Sequence, residues 1–471
     1  MTTIGESIRQ SPAVKQAIDA IVAEVEAKTA AIEGPKPPDP GLKTEYDALV
    51  KAAGASRGRD LLYPYLGSGA GRGALVELAD GSIKWDLVTG IGVHVMGHSH
   101  PAVIRAQLES SLEDTTKHGN LQSGTAPYAF AQKLVDLASR NSNLRHAFLT
   151  TSGAMANESA LKVCMQKTAP ADRVLAFEHC FMGRSLTMTS IGDNAAARDG
   201  LPINQPVDYV PFWDGIEADE MGGATRWIDR AIAKVQGYID RFPKRHAMFV
   251  MELVQGEGGF NVPHKTYLEE LMKLCKANGI PVWDDEIQAF GRTTEMFAYE
   301  TFGLGEYVDV FCVGKMTHAC AAMFTEDMNP RPGLLSGTFT GATVDFAVGS
   351  AVLDELANGG YYGEEGKFAQ HHAAFRAEAE KLIAKHPEWF PEFRGEPVAG
   401  IGGMMRLTPF GGAKDKIVAA AKAIYDEGAI VFWCGHGPYH LRMLPPVPAI
   451  ELSQWPTIFE TLEKGLAKAA G

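Results

Sequence analysis

Short apolar runs alternate with helix-length segments of mixed polarity between residues 100 and 345. Continuous apolar runs of about four to eight residues, separated in this way, are typical of buried parallel strands joined by helical crossovers. The pattern therefore predicts an α/β fold with a doubly wound, mostly parallel sheet. The candidate strands are residues 146–150, 173–177, 246–252, 280–283 and 308–313.

A polar or glycine-rich segment follows each of these apolar runs. In open α/β sheets, ligands bind beyond the carboxyl ends of the strands. We therefore expect the functional groups to come from these five segments. In chain order they read TSGAMANE, EHCFMGR, LVQGEGG, DDEIQ and GK.

The two ends of the chain do not follow this alternating pattern. Residues 7–33 carry apolar side chains at helical spacing, which predicts an amphipathic helix. The proline-rich segment GPKPPDPG, residues 34–41, is expected to form either a stiff arm on a partner subunit or a loosely docked extension. After residue 345, helices alternate with short strands, which indicates a second, smaller domain.

Two motifs near the start of the chain invite other interpretations. The glycines of GSGAGRG, residues 67–73, lead into an alternating segment with a DG turn. This predicts a β-hairpin and excludes a dinucleotide-binding loop, because that loop must open a helix. HVMGHSHP, residues 94–101, holds three histidines, but no recognisable fourth ligand accompanies them. We expect a turn before a helix there, and no metal site.

Composition narrows the class of function. Asp and Glu outnumber Lys and Arg by 57 to 44, a net charge of −13, which argues against nucleic acid as a partner. The six cysteines show no CxxC spacing and predict reduced thiols. No secretory leader and no membrane-length apolar run are visible, so we expect a cytoplasmic enzyme.

Asp285 and Lys315 point to one particular chemistry. Each follows an apolar run, so both would lie in the same crevice at the edge of the sheet. Pyridoxal phosphate forms a Schiff base with a lysine, and a carboxylate keeps its ring nitrogen protonated. The alternative is an ordinary surface lysine and a helix-capping aspartate, because most such residues are solvated.

The segment that begins TSGAMANE adds a candidate phosphate site. A turn of small residues leads into a helix, which either Ser152 or Asn157 would cap. Backbone N–H groups and the positive end of the helix dipole favour an anion at such a position.

Taken together, these segments resemble the class III pyridoxal-phosphate-dependent aminotransferases, which include the 4-aminobutyrate, ornithine, acetylornithine and lysine 6-aminotransferases. The resemblance covers residues 60 to 450, and the sequence departs from the common family pattern at Ala154, Met182 and Leu253. The motifs that carry it are Ser152, Phe181-Met182-Gly183-Arg184, Glu252 to Gly259, Asp285-Glu286-Ile287-Gln288, Lys315 and Thr338-Phe339-Thr340-Gly341.

The resemblance implies fold type I, with a large cofactor domain and a small domain built from both ends of the chain. Residues 1–58 would form a helical extension with its proline-rich arm. Residues 59–99 and 346–471 would form the small domain, and residues 100–345 the large pyridoxal-phosphate-binding domain.

The resemblance also implies roles around the cofactor ring. Lys315 would carry the cofactor as a Schiff base and act as general base and acid. Asp285 would pair with the ring nitrogen, and Gln288 would reach the ring hydroxyl. Phe181 would stack on the face of the ring, and its neighbour Met182 would also belong to the cofactor-binding residues.

The phosphate of the cofactor would have two sets of partners by the same resemblance. Ser152, Gly153 and Ala154 would bind it from the same subunit. Thr338 would reach the phosphate of the other subunit's cofactor. This implies a homodimer, or a dimer of dimers, with shared active sites.

Three further residues match substrate-binding positions of the family. Arg442 matches the arginine that binds an α-carboxylate, which a guanidinium holds with two hydrogen bonds. Glu257 matches the glutamate that pairs with this arginine when the donor lacks a nearby carboxylate. Arg184 matches an arginine that holds a distal carboxylate. For each, the alternative is a structural salt bridge.

The implied function is transfer of an amino group from an ω-amino acid to 2-oxoglutarate in a ping-pong cycle, giving an aldehyde and glutamate. Candidate donors are 4-aminobutyrate, lysine, ornithine and N-acetylornithine. The sequence leaves open a pyruvate-dependent amine aminotransferase, an aminomutase, a racemase or a decarboxylase of the same family. It also leaves open a catalytically silent binding protein on the same fold.

Overall fold

Helices and strands alternate along most of the chain in the computed structural model, which describes residues 2–471. None of the helices in this range is long and apolar enough to cross a membrane. The helices are α1 (Ile4–Gln10), α2 (Pro12–Thr29), α3 (Lys43–Arg57), α4 (Thr89–Gly92), α5 (Pro101–Ser110), α6 (Ala126–Ala138), α7 (Gly153–Thr168), α8 (Leu186–Ile191), α9 (Ala195–Arg198), α10 (Gly215–Glu220), α11 (Ala224–Arg241), α12 (Lys265–Ala277), α13 (Ala298–Phe302), α14 (Thr343–Asn358), α15 (Lys367–Lys385), α16 (Lys414–Glu427) and α17 (Trp455–Ala470).

The strands are short and belong to four sheets. They are β1 (Gly67–Arg72), β2 (Leu75–Leu78), β3 (Ile83–Asp86), β4 (Lys117–His118), β5 (Leu144–Thr150), β6 (Arg173–Phe177), β7 (Val207–Val210), β8 (His246–Met251), β9 (Val282–Asp285), β10 (Val310–Val313), β11 (Cys320–Thr325), β12 (Gly341–Ala342), β13 (Val398–Ile401), β14 (Met404–Leu407), β15 (Ala429–Ile430), β16 (Phe432–Cys434) and β17 (His440–Met443). Short 3₁₀ turns lie at Gly305–Tyr307, Lys315–Thr317, Glu326–Met328, Pro387–Trp389, Phe410–Gly412, Val447–Ala449 and Leu452–Gln454.

The chain forms two compact units, one of residues 113–364 and one of residues 2–112 together with 365–471. The second unit therefore combines both ends of the chain. The domain boundaries that the sequence suggests, after residues 58, 99 and 345, stay a prediction.

The unit of residues 113–364 is built on a seven-stranded sheet with the order β5-β11-β10-β9-β8-β6-β7. All five predicted strands are present, as β5, β6, β8, β9 and β10, and they run in the same direction. The predicted mostly parallel sheet is therefore confirmed. Two strands were not predicted: β7 at one edge, and β11, which runs antiparallel between β10 and β5.

The centre of this sheet is buried on both faces. Every residue of β8, β9 and β10 is buried, which is why these segments read as continuous apolar runs. Large side chains such as Phe249 and Trp283 are fully enclosed. Burying one side chain of this size contributes roughly 1.5–3 kcal/mol, which fixes the strands whose ends carry the polar segments.

The unit built from both chain ends contains two four-stranded sheets, β1-β2-β3-β15 and β13-β14-β17-β16. The predicted hairpin is present as the antiparallel pair β2 and β3. A single apolar cluster packs side chains from both sheets together with α17, among them Trp85, Leu441, Met443 and Trp455.

The prediction of one helix over residues 7–33 is wrong, because the structure has α1 and α2 with a break at Ser11. Pro12 has no N–H to continue the hydrogen-bond ladder of α1, and it is well placed as the first residue of a new helix. The proline-rich arm packs on its own subunit: Lys36 pairs with Ile83 through two backbone hydrogen bonds of 2.9 Å.

The three histidines of residues 94–101 lie in a turn that precedes α5, as expected. His98 Nε2 is 3.0 Å from Asp86 Oδ2, and the ring of His100 accepts a hydrogen bond from Ala102 N at the start of α5. Each of these two histidines therefore has a local structural role.

Candidate active site

Asp285 and Lys315 lie at the same edge of the seven-stranded sheet. Asp285 ends β9 and stands opposite Cys312 of the parallel strand β10, and Lys315 follows Cys312 by three residues. Neighbouring strands are about 4.8 Å apart, so both side chains leave the sheet close together.

Lys315 is half-buried and has a φ of +53°. The left-handed region is costly for a residue with a Cβ, and such strain is characteristic of functional sites. Asp285 is buried, and no helix begins directly after it. Neither residue therefore fits the alternative of a surface lysine and a helix cap.

The carboxylate of Asp285 is held by two hydrogen bonds. Asn157 Nδ2 donates to Oδ2 at 2.7 Å, and Ile287 N donates to Oδ1 at 3.0 Å. Burial raises the pKa of Asp285 to about 6, while these hydrogen bonds and the charge of Lys315 act to lower it. At neutral pH Asp285 is therefore mostly ionised, although it is enclosed.

Asn157 connects Asp285 to a second segment of the site. Its Nδ2 also donates to the carbonyl of Met182 at 2.8 Å. The sequence suggested Asn157 as a candidate helix cap, but the cap of α7 is Ser152, whose Oγ accepts from Met155 N at 3.3 Å. The overlooked signal was a large polar side chain among the mostly small and apolar residues of the buried face of α7.

Glu252 joins the segment of Phe181 to the loop after β8. Its two carboxylate oxygens accept from Phe181 N at 2.9 Å and from Gly256 N at 3.0 Å. Burial, and next the charge of Asp285, raises the pKa of Glu252 to about 8. Glu252 belongs to a motif that the sequence shows, but the motif alone predicted no role for this residue.

Gln288 is buried against the backbone of Gly256. A Cβ at Gly256 would lie 2.3 Å from Oε1 of Gln288, so only glycine permits this approach. In the same way, a Cβ at Gly153 would lie 2.9 Å from the side chain of Ile287. The start of α7 and the segment after Asp285 are therefore in direct contact.

Arg184 lies over the ring of Phe181, with its guanidinium carbon 5.4 Å from the ring centroid. The side chain is exposed, and it forms no ion pair with any residue in the range 2–471. The alternative of a structural salt bridge is therefore not found for Arg184. Glu257 is half-buried, and its charge contributes to the raised pKa of Glu252.

The start of α7 has the properties of an anion site. Backbone N–H groups of Gly153 and Ala154 lie in the first turn, and this turn contains no acidic residue. The helix is 16 residues long, so its dipole adds to these donors.

Two further predicted site residues belong to other segments of the chain. Thr338 is exposed, in a segment held to Asn120 by the bonds Asn120 N to Gly337 O (3.0 Å) and Gly337 N to Asn120 Oδ1 (2.7 Å). Arg442 belongs to the other compact unit, where it is buried in β17 and its guanidinium carbon is 5.1 Å from the ring centroid of Phe432.

Asp284 and Glu286 flank Asp285 and are completely buried, which sequence analysis did not anticipate. Burial, and next the charge of Glu286, raises the pKa of Asp284 well above its usual range. Burial raises the pKa of Glu286 to about 7, although Tyr299 N donates to Oε1 at 3.0 Å. Asp285 is thus the member of this acidic run that most readily ionises.

The residues at this edge of the sheet fit pyridoxal phosphate. A half-buried lysine and a buried carboxylate fixed by two hydrogen bonds suit the aldehyde and the ring nitrogen. Gln288 and Phe181 supply an amide and an aromatic face, and the start of α7 suits the phosphate.

A family model described as aminotransferase class-III matches residues 63–466. The chain is 29% identical over 433 residues to a 4-aminobutyrate aminotransferase of Mycobacterium tuberculosis, a match that covers 87% of this chain and 92% of that protein. It is 27% identical over 407 residues to a diaminobutyrate–2-oxoglutarate transaminase of Wolinella succinogenes, covering 84% of this chain and 88% of that protein.

Among solved structures, the lysine aminotransferase of Mycobacterium tuberculosis in its internal aldimine form has the same fold. The TM-score is 0.77 at 20% identity, and the match covers 89% of this chain and 99% of that one.

Proposed function

The chain belongs to the class III aminotransferases, and we propose that it transfers the amino group of an ω-amino acid to 2-oxoglutarate. Enzymes of this family are transaminases that use pyridoxal phosphate, so the fold type I architecture, the cofactor and the enzyme class predicted from the motifs are confirmed. The substrates of such an enzyme are small molecules.

Lys315 is proposed to hold the cofactor and to move the proton of the reaction. When bound, pyridoxal phosphate supplies an electron sink for the carbanion formed at the substrate carbon. The donor amine takes the place of Lys315, and the released Nζ removes the proton from the carbon that bears the amine. Its position at the end of β10, beside Asp285, supports this role.

Asp285 is proposed to hold a proton on the ring nitrogen. This requires a carboxylate in a site from which water is excluded. The hydrogen bonds from Asn157 and Ile287 N stabilise the charged form, which opposes the effect of burial.

Phosphate binding is proposed for Ser152, Gly153 and Ala154 on one subunit and for Thr338 of a second subunit. The first three residues form the start of α7, where backbone N–H groups favour an anion. Thr338 is exposed, as a residue that acts on a partner subunit would be. A homodimer with shared active sites would bring the two sets together.

The proposal of a substrate with a distal carboxylate rests on one observation. Arg184 lies over Phe181 without an acidic partner in the described part of the chain. An exposed arginine beside the proposed ring-stacking residue is suited to hold the distal carboxylate of an ω-amino acid or of 2-oxoglutarate. Arg442 is proposed to bind the α-carboxylate of 2-oxoglutarate, and Glu257 to neutralise Arg442 when the donor has no carboxylate there.

The test is the absorption spectrum of the cofactor-loaded protein during addition of single substrates. Glutamate should bleach the cofactor band, because glutamate is the product formed from 2-oxoglutarate and acts as an amino donor in the reverse half-reaction. In separate samples, addition of 4-aminobutyrate, lysine, ornithine or N-acetylornithine should identify the donor by the same loss of absorbance. Bleaching by alanine but not by glutamate would identify pyruvate as the acceptor and contradict the proposal.

Arg184→Gln tests directly whether Arg184 binds the distal carboxylate. We expect the KM for 2-oxoglutarate to rise about tenfold or more, because a hydrogen bond to a charged group contributes roughly 1.5–3 kcal/mol. Arg230→Gln is the control, because Arg230 is an arginine of the same unit whose guanidinium pairs with Glu217 at 2.7 Å. Equal KM values in both variants would remove Arg184 from the substrate site.

A further inference from the structure

Two buried polar side chains of the segment after β8 reach across to the segment after β6. Strands β6 and β8 are parallel neighbours in the seven-stranded sheet, so both segments leave the sheet at the same edge. Glu252 is 6% exposed, and Gln255 is fully buried. Polar groups enclosed to this extent are satisfied by hydrogen bonds, so their partners show what they hold in place.

Glu252 binds one backbone N–H group in each segment. Its Oε1 accepts from Phe181 N at 2.9 Å, and its Oε2 accepts from Gly256 N at 3.0 Å. A carboxyl group offers an oxygen to both donors whether or not it is protonated. A glutamine side chain has one oxygen, and its NH₂ group would face the other N–H donor. The two donors therefore require a carboxyl group at this position.

Gln255 joins the same two segments at a second point. Its Nε2 donates to the carbonyl of Glu178 at 2.7 Å, and its Oε1 accepts from Asn261 Nδ2 at 2.9 Å. Glu178 lies three residues before Phe181. Hydrogen bonds from the segment after β8 therefore hold both ends of the stretch 178–181.

Asp193 restrains the residues between these two contacts. His179 N donates to Asp193 Oδ2 at 2.9 Å, and Asp193 N donates to the carbonyl of Cys180 at 3.0 Å. His179 has a φ of +62°, a left-handed conformation that is costly for a residue with a Cβ and persists only where the surroundings enforce it. The backbone that carries Phe181 is therefore held at each of the four residues 178–181.

We propose that Glu252 is a positioning residue that sets where the aromatic ring of Phe181 meets the cofactor. This inference rests on the proposed function, in which Phe181 stacks on the cofactor ring. Stacking depends on the distance and offset of the two rings, so a small shift of the backbone at Phe181 weakens it. Loss of one Glu252 oxygen leaves Phe181 N or Gly256 N without its acceptor, and either change loosens the connection between the two segments.

Titration of the cofactor-free protein with pyridoxal phosphate tests the inference. For Glu252→Gln we expect the Kd to rise about tenfold, because a buried N–H donor loses its acceptor. The circular dichroism band of the bound cofactor should weaken, because this band reports the orientation of the cofactor in its site. The control is Glu269→Gln, since Glu269 lies on α12 of the same unit and pairs with Lys273 at 2.8 Å. Its Kd and its band should equal those of the wild type.

A double-mutant cycle with Phe181→Leu shows whether Glu252 acts through the aromatic ring. Independent single effects of about tenfold each would multiply to about a hundredfold, whereas residues that act together give clearly less than this product. We expect the smaller increase in Kd for the double variant. The full product, or an unchanged Kd and band in Glu252→Gln, would overturn the inference and leave the stacking role of Phe181 intact. Wild-type binding by Phe181→Leu would overturn both.

The Tm of each cofactor-free variant shows whether the protein is folded. Glu252→Asp is the second variant, because it keeps an oxygen for each N–H donor on a shorter side chain. Its Kd should lie between those of the wild type and Glu252→Gln. It replaces Glu252→Gln in the cycle if the glutamine variant does not fold.

Discussion

At the scale of single residues, the ionisation of Asp285 is set by a balance between burial, which favours the protonated acid, and hydrogen-bond donors, which favour the carboxylate. Burial alone would favour the protonated acid, which could not support a protonated ring nitrogen. Asn157 and Ile287 N oppose this effect with two hydrogen bonds. Because Asn157 also binds the carbonyl of Met182, one amide group links the acid to the segment that carries Phe181.

Asn157→Leu should move the acid limb of the pH profile of kcat/KM to higher pH. Loss of the donor raises the pKa of Asp285 further above its present value of about 6, so less carboxylate remains at any given pH. A hydrogen bond to a charged group contributes about 1.5–3 kcal/mol, which corresponds to roughly one to two pH units.

The control for this variant is Asn358→Leu, because Asn358 is an exposed asparagine whose Nδ2 donates to Asp354 O at 2.7 Å. Its pH profile should match that of the wild type. An acid limb of Asn157→Leu that coincides with the wild-type limb would show that Asn157 does not govern the ionisation of Asp285.

At the scale of elements, the strands and their polar ends are predictable from the sequence, but the contacts between them are not. The five apolar runs became β5, β6, β8, β9 and β10 because strands buried on both faces leave a continuous apolar signature. β11 was missed because it follows Lys315 without a helical crossover, and β7 because it is a short edge strand with alternating burial.

The partners of the site residues could not be predicted in the same way. The hydrogen bond from Asn157 to Asp285 and the two bonds to Glu252 join segments that are far apart in the chain. Such contacts depend on how α7 and the loops pack on the sheet, and a local pattern does not specify this packing. The placement of Lys315 and Asp285 at one edge of the sheet, in contrast, could be predicted from the ends of the apolar runs alone.

Gly256→Ala should lower cofactor affinity and activity without unfolding the protein. The new methyl group would meet Oε1 of Gln288 at 2.3 Å, so the amide must leave its present position. Dialysis against buffer and absorbance of the retained cofactor would measure the effect. The control is Gly237→Ala, in the exposed middle of α11, where no atom lies within 4 Å of the new methyl group.

The control variant Gly237→Ala should also have a small effect on stability. Alanine in a helix interior is favoured over glycine by about 0.5–1 kcal/mol, so Gly237→Ala should raise the Tm slightly and retain the cofactor. Equal cofactor retention in both variants would contradict the positioning of Gln288 by Gly256.

Asp284→Asn should make the stability of the protein less dependent on pH. The pKa of Asp284 is raised by burial, so the folded state keeps a proton that the unfolded state loses above a pH of about 4. The free energy of unfolding therefore falls as pH rises from there to the folded-state pKa, by up to about 1.4 kcal/mol per pH unit for one proton. Asparagine has no such proton to lose.

The Tm between pH 5 and 8 measures this effect on the cofactor-free protein. Asp284→Asn should gain stability relative to the wild type as pH rises, while Asp229→Asn, an exposed substitution on α11, should follow the wild type. A constant difference between Asp284→Asn and wild type across this range would contradict the expected linkage.

At the scale of the whole molecule, two exposed apolar side chains bear on the proposed dimer. Leu121 is 95% exposed and Phe339 is 44% exposed, and their segments are joined by the pairing of Asn120 with Gly337. Thr338, which is proposed to act on a second subunit, lies next to Phe339. Large exposed apolar side chains beside this residue would suit the proposed interface between two copies of this chain.

Leu121→Glu should convert the proposed dimer to monomer and reduce activity, because a buried carboxylate at an interface is costly and Thr338 would lose its partner. Light scattering after size-exclusion chromatography measures the mass. Leu452→Glu, an exposed substitution in the other unit, should keep the wild-type mass and activity. A Leu121→Glu protein with wild-type mass would exclude Leu121 from the interface.

The pairing of β15 with β3 has a consequence for synthesis of the chain on the ribosome. Ala429 and Ile430 of β15 pair with the edge of β3 at Trp85 and Asp86, which lie more than three hundred residues earlier in the chain. Residues 113–364, with Lys315 among them, emerge in full before that partner exists. Until then the nascent chain exposes an unpaired strand edge, which is a site for misassociation, so chaperones are expected to matter until translation is almost complete.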